Sequence, residues 1–244
     1  MSSTASDSRE PVAVIFQSGR MPEWHRLSQE DRRVIEQKHV DLMLSVAREH
    51  GMQQMQGFRL VMPQHTWVLF WVMEFPALAG AEAWIKAEIE PPYGRYGFHQ
   101  YHLARRCETH PLSKPATMPA VNDDIDPHQI PTMQSDRGSF VVISLTRQLP
   151  AALDVDAGIR GAEAHIDLLH TVAREHHLLR LEEFELITPQ RDWRKVQIAE
   201  FTTLEGIEAW VEAESRPPCG SYMQADYYLS RKWAPEYVAS WIPR

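Results

Sequence analysis

The stretch that decides the fold runs from Glu74 to Glu88 and reads EFPALAGAEAWIKAE. It recurs 126 residues later, from Glu200 to Glu214, as EFTTLEGIEAWVEAE. The correspondence holds without a gap from His39/His165 to Arg106/Lys232, where 29 of the 68 aligned positions are identical. A period this long indicates two copies of a domain, because solenoid repeats span only about 20 to 50 residues.

Composition narrows the class of protein. The 244 residues are 43% hydrophobic and 24% charged, which is typical of a globular protein. The net charge of −8 argues against a nucleic-acid partner, which favours a basic face. The apolar run Trp67–Met73 is too short to span a membrane, so no membrane partner is expected. Cys107 and Cys219 do not correspond between the copies, which favours a reducing, cytoplasmic location.

Each copy shows the same order of predicted elements. A β-branched strand is followed by a helix, a hairpin of two strands, a second helix and a last strand. This β-α-β-β-α-β order predicts an α+β fold of two tandem ferredoxin-like units. We place a disordered tail at 1–11, unit one at 12–106, a Pro-rich linker at 107–137, and unit two with a C-terminal tail at 138–244.

The duplicated unit resembles the dimeric α+β barrel superfamily in a fused form. That superfamily includes antibiotic-biosynthesis-type monooxygenases, chlorite-dismutase-like and haem-degrading proteins, stress-responsive barrel proteins and small lyases. In addition, Pro22–Arg32 (PEWHRLSQEDR) is similar to the entry of the first helix in darcynin-like proteins. The resemblance implies a barrel built from the two sheets, formed within one chain or between the chains of a homodimer. It does not select a reaction, because one fold supports many functions.

Two pairs of equivalent residues are candidates for catalysis. His39 and His165 lie on the apolar stripe of the first helix of each unit, where a neutral imidazole could bind a haem iron or transfer a proton. Glu74 and Glu200 end the third strand of each unit, on the face that we assign to the helices. We expect His39 to pair with Glu74 as a general base. A core histidine and a solvent-directed glutamate are the structural alternatives.

The opposite sheet face is predicted to form the inside of the barrel and to bind the ligand. We assign to it Trp67, Trp71, Phe98, Gln100 and the catalytic candidate His102 in unit one, and Trp193, Lys195, Asp226 and Tyr228 in unit two. Apolar walls with a few polar groups are typical of a small-molecule pocket, although an inter-sheet core with a polar rim gives the same pattern. A buried lysine needs a charged partner, so we expect Lys195 to pair with Asp226 in one shared pocket.

Three functions are compatible with these observations. The first is a small-molecule enzyme, such as a monooxygenase, isomerase or lyase acting on an aromatic or polyketide-like substrate. The second is a ligand-binding or structural barrel protein without catalysis. The third is a haem-binding barrel protein with His39 or His165 as the axial ligand. Haem is compatible with the sequence but not required by it, and no dedicated metal site is predicted.

Overall fold

The computed structural model describes residues 11–64, 66–108, 110–131, 138–149, 155–187, 193–217 and 219–243, with the backbone alone at 155–162 and 219. The expected N-terminal tail, apart from its last residue, and the linker segment 132–137 lie outside these residues. Within the described part, no helix is long and apolar enough to cross a membrane.

Both units have the predicted β-α-β-β-α-β order, with one short helix added to each. The elements of unit one are β1 (Val12–Arg20), α1 (Pro22–Arg26), α2 (Gln29–Glu49), β2 (Gln54–Gln64), β3 (Trp67–Phe75), α3 (Leu78–Glu88) and β4 (Gly97–Cys107). Those of unit two are β5 (Phe140–Gln148), α4 (Val155–Glu175), β6 (Arg180–Leu186), β7 (Lys195–Phe201), α5 (Leu204–Ser215), β8 (Met223–Lys232) and α6 (Pro235–Ala239). Ser28 caps α2, accepting a hydrogen bond from the backbone N–H of Asp31.

The eight strands form one closed antiparallel barrel in the order β1-β3-β2-β8-β5-β7-β6-β4. Each unit contributes four neighbouring strands in the same relative order. The outer strands of unit one then pair with those of unit two, β2 with β8 and β4 with β6. These two seams close the sheet, with three paired positions between β2 and β8 and four between β4 and β6. The barrel therefore forms within one chain.

Strand side chains from both units fill the barrel interior, and no helix contributes to this cluster. Phe58 and Phe70 of unit one meet Phe184 and Ile198 of unit two there, and all four are fully buried. The helices cover the outer faces in two further clusters, one in each unit. The core thus has three layers: helices, barrel interior and helices.

The predicted faces of the strands are half correct. Tyr228 of β8 belongs to the interior cluster, and His102 of β4 lies opposite the interior residue Ile15, as expected. The assignment was wrong for β3 and β7, because Trp71 packs with the helical layer and Ala199, which shares its face with Lys195, does the same. Strand β3 is apolar on both faces, so alternation identifies two faces without showing which is inside.

Two glycines bring α3 and α5 close to the sheet. A Cβ atom at Gly80 would lie 2.6 Å from the Phe75 ring, and one at Gly206 would lie 2.8 Å from the Phe201 ring. The neighbouring Trp84 and Trp210 are 2% and 0% exposed, so both are core residues. Close helix–sheet contact therefore explains why glycine occurs inside these helices despite its cost of about 1 kcal/mol.

The linker contacts both units, through Lys114 to Leu181 of unit two and through His128 to Gln37 and Asp41 of unit one, and the C-terminal segment packs on unit one. Residues 110–131 contain no helix, and their β-structure is an isolated bridge from Lys114 to Leu181. Trp233, Tyr237 and Trp241 pack into the helical layer of unit one. The Tyr237 hydroxyl donates a 3.2 Å hydrogen bond to the Pro127 carbonyl, which joins α6 to the linker.

Candidate functional site

The duplication places an equivalent histidine and glutamate between the helices and the sheet of each unit. In unit one these are His39 of α2 and Glu88, the last residue of α3. Their equivalents in unit two are His165 of α4 and Glu214 of α5. Sequence reasoning singled out the histidines but missed the glutamates. The signal was present, because a carboxylate is identical in both copies near the end of a helix whose buried face is otherwise apolar.

In unit one, the histidine contacts a carboxylate and stacks on an aromatic ring. His39 Nε2 lies 3.3 Å from Glu88 Oε2, and the ring stacks on Tyr93 with 3.6 Å between centroids. Burial alone would raise the pKa of Glu88, but the charge and hydrogen bond of His39 hold it below its ordinary value. The expected pair of His39 with Glu74 is therefore wrong, and Glu88 is the carboxylate partner.

Aromatic side chains leave little space around this pair. A cavity of about 150 Å³ remains, bordered by His39 and Glu88 and walled by Trp71, Trp84 and Trp233. The guanidinium of Arg20 covers the outer side, with its central carbon 4.2 Å from the Tyr93 ring centroid. The unit-one cavity, as we call this space, is thus too small for a large planar cofactor.

In unit two the same location holds a much larger cavity. The unit-two cavity measures about 680 Å³ and lies between α4 and strands β5, β6 and β7. The described side chains at its wall include both members of the equivalent pair and several polar groups: Arg147, His165, Glu183, Lys195, Gln197 and Glu214. Two of the predicted site residues, His165 and Lys195, therefore meet here.

The histidine and glutamate of unit two are also in different states from their counterparts. Burial lowers the pKa of His165, which favours its neutral form. Burial raises the pKa of Glu214 to about 7, although a hydrogen bond with Tyr227 acts in the opposite direction. Glu214 Oε2 has no protein partner among the described residues. Unit two thus presents a neutral imidazole and an incompletely bonded carboxyl group to an open space.

Three substitutions distinguish the walls of the two cavities, and the replacement of Trp71 by Gln197 removes the ring that occupies space in unit one; Trp233, Tyr237 and Trp241 also border the unit-one cavity alone. Unit one has Gly57 beneath Trp71, where a Cβ atom would lie 2.7 Å from the indole ring. The equivalent positions in unit two are Glu183 and Gln197, and Leu69 is replaced by Lys195. Lys195 Nζ lies 2.7 Å from Glu183 Oε1 on the neighbouring strand.

The expected pairing of Lys195 with Asp226 is therefore wrong. Lys195 lies on the outer face of the barrel, whereas Asp226 pairs in register with Leu145, a residue of the interior cluster. The single pocket combining the inner faces of both units does not form, since Trp71 and Lys195 each border the cavity of their own unit. The predicted contrast between an aromatic and a polar half is nevertheless present, in two separate cavities.

Glu74 and Glu200 lie in a buried ion network at one end of the barrel. Arg106 bonds both Glu74 and Glu182, and Arg180 lies 3.2 Å from Glu182 and 3.8 Å from Glu200. Lys232 adds a third cation, 2.9 Å from Glu200. Three carboxylates and three cations balance one another, as buried charges require. This arrangement supports a structural role, and a catalytic role for Glu74 and Glu200 stays a prediction.

Comparison with solved structures identifies the architecture. No family model and no curated protein matches the chain. A variant of chlorite dismutase from Candidatus Nitrospira defluvii superposes with a TM-score of 0.65 at 14% identity, covering 98% of this chain and 97% of that chain. The chain has the dimeric α+β barrel fold. Chlorite dismutase in complex with imidazole gives a TM-score of 0.63 at 14% identity, and a variant in complex with cyanide gives 0.64 at 12%, both with 98% and 97% coverage.

The remaining candidates of the fused barrel lie in or near its interior. Trp67 and Trp193 pack against the interior cluster. His102 is 3% exposed, and its Nε2 lies 3.4 Å from Nε2 of Gln100. Phe98 lies on the same side of β4 as Gln100 and His102. The predicted site residues are thus divided between the unit-one cavity, the unit-two cavity and the barrel itself. No group of three or more His, Cys, Asp or Glu residues converges on a metal position in the described part of the chain.

Proposed function

We propose that this protein binds haem in the unit-two cavity, with His165 as the axial ligand of the iron. The observation that carries the proposal is the open space of about 680 Å³ with His165 at its wall. That volume falls within the roughly 300 to 1,000 Å³ that cofactor pockets occupy. The equivalent space in unit one is about 150 Å³, and there the histidine is already bonded to Glu88.

The protonation state of His165 supports iron binding. An imidazole binds a metal through a neutral ring nitrogen, and burial lowers the pKa of His165. Glu214 borders the same cavity with one carboxylate oxygen unpartnered. Metal-bound histidines usually donate their second N–H to a carboxylate or carbonyl, which fixes the ring and increases its basicity. We assign that supporting role to Glu214.

The wall of the unit-two cavity carries cationic side chains that can bind the propionate groups at the edge of a haem. Haem carries two propionate carboxylates, and Arg194 and Lys195 are exposed cations that border the cavity. Lys195 is held by Glu183 at 2.7 Å, so its ammonium group is already positioned. Charge-assisted hydrogen bonds to carboxylates are among the stronger polar contacts in proteins. The residues present therefore fit a haem in donor, volume and charge.

A bound haem would supply an iron centre for small ligands and for redox chemistry, tuned by the axial histidine and its partners. The cyanide and imidazole in the structural neighbours are small molecules that bind iron, which supports the same interpretation. The first function considered from the sequence, a small-molecule enzyme such as a monooxygenase, isomerase or lyase, stays a hypothesis with less support. Aliphatic and aromatic side chains fill the barrel interior, where the substrate pocket of that enzyme was expected. A cytoplasmic location and a homodimer also stay proposals.

The proposal is tested by haem titration of the full-length chain and of two histidine variants. His165→Ala is expected to lose the Soret absorption of the complex or to weaken binding at least about 100-fold, and added imidazole should partly restore the spectrum. The matched variant His39→Ala should keep the parent affinity. Native mass spectrometry should show one haem per chain. Unchanged binding by His165→Ala, or loss of binding in His39→Ala alone, would disprove the assignment.

A further inference from the structure

We propose that the unit-one cavity is a second ligand site, and that it takes a small neutral phenol. The cavity is separate from the unit-two cavity, and the two share no residue at their walls. The proposal is therefore independent of haem binding. It rests on three properties of the unit-one cavity: its size, its unpartnered polar groups and its charge.

The size and walls fit one aromatic ring. The cavity holds about 150 Å³ and is surrounded by aromatic side chains from the sheet, α3 and the C-terminal segment: Phe16, Trp71, Trp84, Trp233, Tyr237 and Trp241. An apolar protein cavity of about 150 Å³ is sufficient to bind benzene. Aromatic walls favour a planar guest, because rings pack well in offset and edge-to-face arrangements.

Unpartnered donors border this space. The indole Nε1 atoms of Trp84 and Trp233 have no hydrogen-bond partner among the described residues, although the two side chains are only 2% and 6% exposed. A buried N–H group without an acceptor costs roughly 1 to 3 kcal/mol, so it normally has a partner in the native state. A guest that carries an oxygen acceptor would remove this cost.

His99 adds a group that can accept a hydrogen bond. Its ring borders the cavity, and neither ring nitrogen has a hydrogen-bond partner in the described part of the chain. Burial lowers the pKa of His99, so the neutral ring has one donor and one acceptor nitrogen. A guest that complements both an indole N–H and an imidazole nitrogen must accept and donate, which a hydroxyl group does.

The charges around the cavity favour a neutral guest. His39 Nε2 lies 3.3 Å from Glu88 Oε2, and the Arg20 guanidinium is hydrogen-bonded to the Tyr93 hydroxyl and lies against its ring. Burial raises the pKa of Glu36, the remaining carboxyl group at the wall. Glu36 and Glu88 thus place two carboxyl groups at the wall, and both disfavour an anionic guest. A planar ring of benzene size with one hydroxyl group satisfies all three properties.

The test is calorimetric titration of the full-length chain with phenol and with benzene. Phenol should bind at least about tenfold more tightly than benzene, because only phenol engages the indole and imidazole groups. Trp84→Phe removes the N–H, and although it also enlarges the cavity, it should reduce the preference for phenol over benzene about three- to tenfold. The matched variant Trp210→Phe alters the equivalent residue of unit two and should bind phenol as the parent does.

A second measurement does not depend on the stability of the variants. In the parent protein, phenol should shift the NMR resonances of the Trp84 and Trp233 indole N–H groups and leave that of Trp210 in place. Equal affinity for phenol and benzene would overturn the hydrogen-bonding argument. Absence of binding by both at millimolar concentration would overturn the site itself and indicate that the cavity holds water only.

Discussion

The two units have retained the same histidine and glutamate but surround them differently. In unit one, His39 is bonded to Glu88 and stacked on Tyr93, and Trp71 occupies the space beside the pair. In unit two, His165 and Glu214 border a cavity more than four times as large, with Gln197 where unit one has Trp71. A copied residue therefore acquires its role from its neighbours, and residue identity alone does not show which copy has a cofactor site.

The largest expected effect on stability concerns the core beneath the two cavities. Trp210→Ala should lower the free energy of unfolding by about 5 kcal/mol and Trp84→Ala by about 3 kcal/mol, the two ends of the range for large buried aromatic residues. Trp210 is enclosed by the helical layer of unit two, whereas Trp84 borders an existing cavity. Urea unfolding measures both values. A loss below about 1 kcal/mol for either variant, or a larger loss for Trp84→Ala, would contradict this comparison.

The second prediction uses the two glutamates at pH 8 in the haem-free protein. The pKa of Glu214 is raised by burial to about 7 in the folded protein, against an ordinary value of 4.5. Folding then opposes ionisation, so this group destabilises the protein progressively as the pH rises from about 4.5 to 7. Glu214→Gln should therefore increase the free energy of unfolding at pH 8 by up to about 3 kcal/mol. At pH 4 it should have little effect.

Glu88→Gln should have the opposite sign, and it serves as the matched comparison. His39 lowers the pKa of Glu88, so this carboxylate stabilises the folded protein above pH 4.5 and loses that effect as the pH falls through its lowered pKa. We expect the variant to be less stable by about 1 to 3 kcal/mol at pH 8. Unfolding curves for both variants at pH 4, 6 and 8 give the result. A stability change of the same sign at pH 8 would show that the two carboxyl groups are in equivalent states.

The fold could be predicted from the sequence because the repeat supplies two independent examples of each element. The ungapped correspondence across the paired positions showed the same element order in both halves of the chain. The barrel then follows from the need to cover the second face of each sheet. Closure of the barrel within one chain was not predictable, because the pairing of β2 with β8 joins distant parts of the chain and leaves no local pattern in the sequence.

The site was less predictable, for a physical reason. Trp67, Leu69 and Trp71 are apolar and so are the intervening residues of β3, and the sequence pattern does not identify which face a cavity borders. The prediction placed Trp71 and Lys195 inside the barrel, whereas in the structure both lie on the helical side of the sheet. The partner of each charged group depends on strand register across the sheet, and Glu183 is therefore the partner of Lys195 although Asp226 was the expected one.

The smallest expected effect is a loss of haem affinity when the wall formed by β6 and β7 is changed. This prediction rests on the proposed haem binding, and it tests whether that wall keeps the unit-two cavity open. The double variant Glu183→Gly with Gln197→Trp transfers the Gly57–Trp71 arrangement of unit one to unit two. The indole ring should then lie over the glycine and occupy cavity space. We expect a loss of haem affinity of about tenfold, which corresponds to about 1.4 kcal/mol. Absorbance titration measures the change.

The single variant Glu183→Gly separates this steric effect from the loss of the Lys195 partner. It removes the carboxylate that lies 2.7 Å from Lys195 Nζ but adds no ring to the cavity. Its haem affinity should fall by about threefold or less, because exposed ion pairs contribute only about 0 to 1 kcal/mol and Lys195 is about half exposed. If the single and double variants bind haem equally, ring volume is not what separates the two units. The bonded state of His39 would then be the cause, and Glu88→Gln should give unit one a measurable affinity for imidazole-binding metals.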